Sequence, residues 1–460
     1  MGPFEVMIHN LSQLGFFGFL LPWIFTFVVL FALYAIGSAN GASLERMLGL
    51  QLTDISEYTG LARTMLDEGR FALAPDSPPE FFRTPGYPAF LALLFFFGTP
   101  PVVVPFVHIL FTATAAALIY LIGIRHFPRP IAILAAVLYM LDPLVTYSTM
   151  TLISEPLFML LFLTSIYLVG LETRRPWISY AIGGAVLGIA ILVRPVGLYI
   201  APIIALMASA RADTWHVAAR WTGVFLVTTA LVITPWMARN YAHSGSFSLS
   251  SISTFNVYYY NIPIFEQFRT GAPYREVRAS LNARIGESDE HALRSFSYAS
   301  AEMKIVREML LAHPFEYAFF HLLKSGMLII GSSMNAAAYH MYIHGIVPDN
   351  PPPIGAFGMI LEGRWSDAIA HTLDNVPKLL ERLFWLLAYI GALFTVFLWL
   401  RERRRGAVWI LGAFLLINAF AILAGPVSDD TRYRIPADPF LFLLGGAAAI
   451  ELWTKIKKRA

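Results

Sequence analysis

The sequence of 460 residues contains no cysteine. Disulfide bonds and thiolate metal sites are therefore excluded. Charged side chains are also scarce, at 14% of the residues, whereas a typical soluble domain carries about 25%. This shortage argues strongly against a soluble globular enzyme.

The sequence also lacks a phosphate-binding glycine-rich loop, a Walker pattern, a His-Glu-x-x-His zinc motif and any nucleic-acid-binding motif. We therefore expect no nucleic-acid partner and no nucleotide-sugar site on the cytoplasmic side. The N-terminus has no basic segment followed by a small-residue cleavage site. The first apolar run, residues 14–36, accordingly predicts a retained transmembrane helix instead of a cleaved signal peptide.

Apolar residues dominate what is present, at 57% of the chain, and the mean hydropathy is +0.61. Repeated apolar runs near the length that crosses a bilayer predict an all-α polytopic membrane protein. We expect one domain over residues 1–460, a bundle of about 10–13 transmembrane helices with interfacial helices in the outer loops. The candidate spans are residues 14–37, 102–124, 131–150, 153–171, 177–193, 196–210, 219–237, 383–401, 407–425 and 438–454.

Basic residues cluster between these spans, and the positive-inside rule assigns such clusters to the cytoplasm. Both termini are then cytoplasmic, and the chain would lie in a bacterial inner membrane among its lipids. The predicted outer, periplasmic segments include a first loop with interfacial helices, 38–101, and a long, largely helical loop, 238–382. No soluble domain is expected after the last span. The basic clusters are Arg125–Arg129, Arg174–Arg175, Arg211–Arg220, Arg401–Arg405 and Lys455–Arg459.

Two outer segments, 86–99 and 315–345, allow more than one structure, and a third, 289–312, has an amphipathic pattern. Residues 86–99 are apolar but short and flanked by proline, which suggests a re-entrant or interfacial helix. Residues 315–345 predict either an interfacial helix or a pair of short spans. Apolar residues at helical spacing predict one amphipathic helix over 289–312.

An acidic pair, Asp54 and Glu57, follows the first span and opens an amphipathic stretch over 55–67. Acids this close to hydrocarbon are costly and are often functional. Asp54 could simply cap the helix, with Glu57 solvated. Alternatively, one of them is a general base that deprotonates an acceptor hydroxyl.

A second acidic pair, Asp142 and Glu155, lies on either side of the turn between two predicted spans. These residues, with Ser154, could cap the helices, a role that Pro156 in a first helical turn would suit. Alternatively, Asp142 and Glu155 could bind a divalent cation, Mg²⁺ or Mn²⁺, or position an acceptor.

Several arginines fall on the predicted outer face, where the positive-inside rule disfavours them. Recognition of a phosphate by a guanidinium fork would explain their presence. The alternatives are snorkelling at helix ends and pairing with Asp429 and Asp430. The main candidates are Arg194, Arg239 and Arg432-Tyr433-Arg434, and the weaker ones are Arg63, Arg83, His321 and Lys324.

Taken together, seven short motifs resemble those of the GT-C superfamily of integral-membrane glycosyltransferases. The chain is similar to the group that contains protein O-mannosyltransferases and lipid A aminoarabinose transferases (glycosyltransferase family 39). Residues 241–380 match no pattern of that group. The motifs are Asp54-Ile55-Ser56-Glu57-Tyr58, Arg83-Thr84-Pro85-Gly86-Tyr87-Pro88, Leu141-Asp142-Pro143, Ser154-Glu155-Pro156, Val193-Arg194-Pro195, Thr234-Pro235-Trp236-Met237-Ala238-Arg239-Asn240 and Arg432-Tyr433-Arg434-Ile435-Pro436.

The resemblance implies a polyprenyl-phosphate-linked sugar donor, an outer-face active site and inversion at the anomeric carbon. It implies that the acid of the first loop is the catalytic base, which is Asp54 here, with Glu57 as a competitor. A C-terminal arginine, Arg432 or Arg434, would hold the donor phosphate. The expected acceptor is a lipid or a glycan. Tyr58, Arg83 and Tyr87 are further candidates for positioning it.

A transporter or a flippase of lipid-linked sugars is the alternative function. A transporter would place its charges in mid-span and would be built from internal repeats. The charges here lie at the ends of the predicted spans, and no repeat is visible in the sequence. Glycosyl transfer is therefore the favoured interpretation.

Overall fold

A computed structural model of the chain describes residues 15–50, 52–210, 212, 214–344, 359, 363–373, 376–404, 406–425 and 431–457. Within these ranges the structure is built from helices and contains no sheet, which confirms the all-α polytopic fold. Six charged residues considered above lie outside them: Arg211, Arg405, Asp429, Asp430, Lys458 and Arg459.

The first half of the chain forms eleven helices in the described ranges. The helix predicted over 55–67 is present as α3. The helices are α1 (Gly15–Ala39), α2 (Leu44–Met47), α3 (Thr53–Glu68), α4 (Gly86–Phe96), α5 (Val104–Gly123), α6 (Arg129–Leu141), α7 (Pro143–Met150), α8 (Glu155–Val169), α9 (Pro176–Val193), α10 (Gly197–Ser209) and α11 (Trp215–Ser244).

The second half begins with a set of shorter helices and ends with three long ones. A π-helical turn, Val257–Asn261, separates α12 from α13, and a 3₁₀ turn, Thr431–Arg434, precedes the last helix. The helices are α12 (Ile252–Asn256), α13 (Ile262–Thr270), α14 (Tyr274–Ile285), α15 (Glu290–Leu293), α16 (Phe296–Ala312), α17 (Pro314–Ile329), α18 (Ser333–Ile343), α19 (Trp365–Leu373), α20 (Val376–Arg401), α21 (Ala407–Ala424) and α22 (Asp438–Lys457).

Seven helices in the described ranges are long and apolar enough to cross a membrane: α1, α5, α9, α11, α20, α21 and α22. The bent pair α6 and α7 would make an eighth span. This number is smaller than the ten predicted spans because 153–171 and 196–210 form helices of only 15 and 13 residues. A straight crossing takes about 20 residues.

The predicted span 131–150 is broken where Asp142 meets Pro143. Asp142 has an extended backbone, and α6 and α7 differ in direction by 55°. Proline disfavours helical geometry in the residue before it and is well placed in the first turn of a helix. The same dipeptide therefore ends one helix and begins the next.

Residues 252–312, which we call the helical lid, have an apolar core of their own. Phe255, Tyr258 and Leu293 belong to this core, and Phe82 from the first loop packs into it. The helix predicted over 289–312 is interrupted between α15 and α16. The interruption places Arg294 between the two helices, where its side chain reaches the first loop.

The two other uncertain segments also form short helices. Residues 86–99 contain α4, whose 11 residues are too few to cross a bilayer. The described part of 315–345 forms α17 and α18, so two helices occupy the segment in place of a single interfacial helix.

Glu302 in α16 gives the lid a testable pH dependence. Its side chain is 1% exposed, Oε1 has no partner among the described residues, and burial raises the pKa of Glu302 to about 8. The folded lid therefore favours the neutral carboxyl of Glu302. The stability that this preference contributes is complete below pH of about 4.3, the ordinary glutamate pKa, and is lost as the pH rises to about 8. Hydrogen exchange of residues 296–312 should therefore be faster at pH 8 than at pH 5 after correction for intrinsic rates. Glu302→Gln should reduce this difference, and an equal change in both proteins would contradict the assignment.

Candidate active site

A cavity of about 430 Å³ lies where the first loop, the start of α8, the end of α9, the lid and the 3₁₀ turn meet. Its lining combines polar and charged side chains with apolar ones. Its polar lining includes Asp54, Tyr58, Arg83, Ser154, Glu155, Arg194, Asn256, Asn261, Arg432 and Tyr433, and its apolar lining includes Phe158, Met159, Phe420 and Leu423.

Asp54 lines this cavity from the first turn of α3. The alternative of a capping role for Asp54 is wrong, because α3 begins at Thr53 and its cap position, Leu52, has no side-chain hydrogen bond. Instead, Oδ1 of Asp54 accepts a hydrogen bond from Nη2 of Arg83 at 2.5 Å, and the side chain of Asp54 stays 47% exposed.

The pKa of Asp54 lies below its usual range. Burial acts to raise this pKa, but the positive charges of Arg83, Arg432 and Arg294 outweigh it. Asp54 is therefore a carboxylate at neutral pH, able to accept a proton.

Glu57 has a different environment from that of Asp54, although the two lie on one helix. Its side chain is 7% exposed, and it pairs with Nη2 of Arg83 at 2.7 Å and with Nη1 of Arg294 at 2.6 Å. Glu57 is not among the residues that line the cavity. Of the two candidate bases, Asp54 is therefore the one accessible to a bound molecule.

A continuous series of ion pairs connects the first loop to the lid. Arg83 bridges Asp54 and Glu57, and Arg294 bridges Glu57 and Glu290, with Nη2 of Arg294 2.6 Å from Oε1 of Glu290. Sequence reasoning missed Arg294, which is 237 positions from Glu57 along the chain. The only available signal was another arginine on the predicted outer face.

A close approach of the first loop to the end of α9 holds Arg83 at the cavity. A Cβ atom on Gly86 would lie 2.6 Å from the backbone of Leu192, so glycine is required there. The Thr84 hydroxyl lies 3.5 Å from the carbonyl oxygen of Val193, to which it donates. Arg83 and Arg194 are thereby brought to the same cavity from distant parts of the sequence.

Glu155 and two arginines form a second charged group on the cavity wall. Oε1 of Glu155 is 2.6 Å from Nη1 of Arg194 and 3.4 Å from Nε of Arg432. The ring of Tyr433 faces both guanidinium groups. Its centroid lies 6.0 Å from Cζ of Arg194 and 5.6 Å from Cζ of Arg432. Two positive charges and one negative charge leave this wall with a net positive charge that suits an anion.

Asp142 does not join Glu155. It caps α7 by accepting from the backbone N–H groups of Leu144 and Val145, and Ser333 donates to its other oxygen at 2.9 Å. Across the described ranges, no three His, Asp or Glu side chains form a group that could hold a metal ion. The predicted Mg²⁺ or Mn²⁺ site at Asp142 and Glu155 does not fit these residues.

Arg434 lies beside Arg432 in sequence but outside the cavity lining. It is 1% exposed, pairs with Asp438 at 2.9 Å and lies 3.5 Å from the centroid of the Trp385 ring. It also donates to the carbonyl groups of Leu328, Ile329 and Gly331 and to the Ser333 hydroxyl. Its donors hold the chain between α17 and α18, which leaves Arg432 as the C-terminal arginine that faces the cavity.

Three other predicted residues lie outside the cavity lining as well. Arg239 donates to the carbonyl groups of Glu80 and Phe71, and so fixes the first loop. Lys324 is buried in α17. Tyr87 is buried, with its hydroxyl 3.3 Å from Nε2 of His108.

A comparison with known protein families agrees with the resemblance to membrane glycosyltransferases that the sequence motifs indicate. Residues 82–238 match the family of dolichyl-phosphate-mannose-protein mannosyltransferases, a stretch that includes Arg83, Glu155 and Arg194. No curated protein matches the sequence significantly.

Two solved structures from Archaeoglobus fulgidus match this chain with TM-scores below 0.5. One is the oligosaccharyltransferase AglB in complex with an inhibitory peptide and a dolichol-phosphate, which is 14% identical to this chain with a TM-score of 0.48. The match covers 95% of this chain and 52% of AglB. An oligosaccharyltransferase tethered to an acceptor peptide is 12% identical with a TM-score of 0.46, covering 96% and 50%. This chain thus spans about half the length of these proteins.

Two findings agree: helices long and apolar enough to cross a membrane, and the match of residues 82–238 to the family. Together they confirm that this multi-pass membrane protein resembles the glycosyltransferases of the GT-C superfamily.

Proposed function

We propose that this protein is an inverting glycosyltransferase that uses a polyprenyl-phosphate-linked sugar as donor. The acceptor would be a lipid or a glycan, and the reaction would take place at the outer, periplasmic face of the membrane. One observation carries the proposal: the ionised and accessible Asp54 shares a cavity with Arg194 and Arg432. The matched family is named for a dolichyl-phosphate-linked sugar donor.

The two groups in the cavity suit the two halves of a single displacement. Asp54 accepts the proton of the acceptor hydroxyl as its oxygen attacks the anomeric carbon. The bond from that carbon to the phosphate oxygen breaks, and its electron pair leaves with the phosphate. Arg194 and Arg432 stabilise the charge that develops there. Attack from the side opposite the leaving group inverts the anomeric centre.

The apolar side chains of the cavity wall suit the other part of such a donor. Phe158, Met159, Phe420 and Leu423 line the cavity and offer no hydrogen bonds. Burying prenyl carbons against these side chains contributes about 25 cal/mol for each Å² removed from water. A donor with its phosphate at the arginines and its prenyl chain against the apolar side chains would satisfy both kinds of lining.

Sugar release by the purified protein in detergent tests the proposal. The donors would be synthetic polyprenyl-phosphate sugars, the matching polyprenyl-diphosphate sugars and nucleotide sugars. We expect turnover of at least one polyprenyl-phosphate sugar and none of the nucleotide sugars. Turnover of nucleotide sugars alone, or of no donor, would contradict the proposal.

Arg432→Met should raise the KM for the donor about tenfold to 100-fold and should also lower kcat, because Arg432 would contact both the bound phosphate and the charge that develops on it. The variant removes a charged hydrogen-bond donor from the proposed phosphate site, and such a bond contributes about 1.5–3 kcal/mol. Glu155 keeps Arg194 as a partner, 2.6 Å away, so the fold should survive. Arg63→Met, at an exposed position on α3, is the matched control. Equal KM values for Arg432→Met and the control would contradict phosphate binding by Arg432.

A further inference from the structure

The π-helical turn Val257–Asn261 is a local departure from α-helical geometry at the wall of the cavity. The N–H of Ile262 donates to the carbonyl of Val257, five residues earlier, and so closes a wider ring than an α-helix has. Such turns are rare and frequently occur at functional sites.

The wide turn brings two amide side chains to the same cavity. In an α-helix, residues five positions apart point about 140° away from each other, since each residue turns the chain by about 100°. A wider turn reduces that angle. Asn256 and Asn261, five positions apart, both line the cavity here.

Asn261 has hydrogen-bonding capacity that the described part of the chain does not use. Its side chain is 6% exposed, and Oδ1 has no partner in the ranges that the structure covers. Its amide contacts the Tyr317 hydroxyl through a hydrogen bond. Buried polar groups are nearly always paired, so an amide with spare capacity on a cavity wall needs a reason.

The turn lies close to the proposed phosphate site. Tyr260, the neighbour of Asn261, interacts electrostatically with Tyr433. The Tyr433 ring in turn faces Arg194 and Arg432. A sugar is joined directly to its phosphate through the anomeric carbon, so this region of the cavity is where the sugar of a bound donor would lie.

We propose that Asn261, together with Asn256, binds ring hydroxyl groups of the transferred sugar and thereby selects it. An amide side chain carries hydrogen-bond donors and an acceptor, and a sugar hydroxyl group can likewise donate and accept. The two groups are therefore complementary. The inference rests on the proposed function, because it assigns the sugar of the same donor to one wall of the same cavity.

The test compares the preferred donor with its monodeoxy analogues, each lacking one ring hydroxyl. The value of kcat/KM for sugar release is measured for wild type and for Asn261→Leu, which has similar volume but no hydrogen-bonding group. In wild type, removal of the hydroxyl that Asn261 binds should lower kcat/KM about tenfold or more, since a polar site rejects an analogue that leaves it unpaired. In Asn261→Leu, removal of the same hydroxyl from the donor should lower kcat/KM only about twofold or less.

Tyr317→Phe serves as the control, because it removes the hydroxyl that contacts Asn261 and keeps the amide. If Asn261 is purely structural, Asn261→Leu will have a lower thermal stability than wild type but will discriminate between the donor and its analogues as wild type does. That result would overturn the inference. Asn256→Leu applies the same comparison to the second amide and replaces Asn261→Leu if that variant does not fold. Wild-type protein that releases no sugar would contradict the proposed function itself, whereas turnover with unchanged discrimination in both variants would contradict only this inference.

Discussion

Asp54→Asn is expected to lower sugar transfer about 10²- to 10⁴-fold, the usual contribution of a positioned general base. Asparagine keeps the shape of the side chain but cannot accept the proton of the acceptor hydroxyl. Glu57 cannot replace Asp54, because its two oxygens pair with Arg83 and Arg294 and it lies outside the cavity lining. Donor binding, measured by the thermal shift that the donor produces, should change little.

Two carboxylates on the same helix provide the controls for this prediction. Asp67→Asn changes an exposed aspartate of α3 and should leave turnover unchanged. Glu57→Gln should reduce activity less than Asp54→Asn, since it alters the pairing of Arg83 and Arg294 and leaves the proposed base in place. An active Asp54→Asn variant together with an inactive Glu57→Gln variant would show that Glu57 is the base.

The pH dependence of wild-type turnover gives an independent check on Asp54. Arginine charges hold the pKa of Asp54 below its usual range despite burial, so the carboxylate stays ionised as the pH falls. Activity that depends on this group should be complete above pH of about 4 and decline only below it. An acidic limb in kcat/KM with an apparent pKa of about 6 would point to a different base.

Arg434→Met should destabilise the protein by about 3–5 kcal/mol, because it leaves a buried charge without its partner. Arg434 and Asp438 are each 2% exposed at the side chain and pair at 2.9 Å. The variant also removes the donors to the carbonyl groups of Leu328, Ile329 and Gly331. Thermal unfolding in detergent would measure the loss.

A second substitution separates the lost charge pair from the lost hydrogen bonds. Arg434→Met with Asp438→Leu removes both charges and should recover part of the stability, since replacing a whole buried pair is often tolerated. Arg432→Met is the neighbouring control, and its main effects should be on donor KM and on kcat. An Arg434→Met protein that unfolds at the wild-type temperature and has a raised KM would reverse the roles assigned to the two arginines.

The sequence predicted the membrane class because hydropathy depends only on local composition. It also predicted α3 from its apolar spacing, and it singled out Asp54, Glu155, Arg194 and Arg432, which the structure brings to one cavity. These residues could be found because acids and arginines are costly at the ends of apolar spans.

The remaining features depend on contacts between distant parts of the chain. Arg432 and Arg434 are equivalent by sequence, and only the packing of α17, α18 and α20 around Arg434 distinguishes them. The pairing of Arg294 with Glu57 could not be read from spacing. The spacing left helix capping open as an alternative role for Asp54, but its partner is a guanidinium from 29 residues further along the chain.

The central claim is that this protein forms a glycosidic bond or cleaves the donor, in contrast to a flippase that moves the donor across the membrane. The measurement uses proteoliposomes that carry the preferred polyprenyl-phosphate sugar, radiolabelled in its sugar, with wild type beside Asp54→Asn. We predict that wild type separates the label from the lipid, as free or transferred sugar, and that Asp54→Asn does so at least about 100-fold more slowly. Intact labelled lipid that crosses the bilayer at equal rates with both proteins, and without released or transferred sugar, would contradict the account.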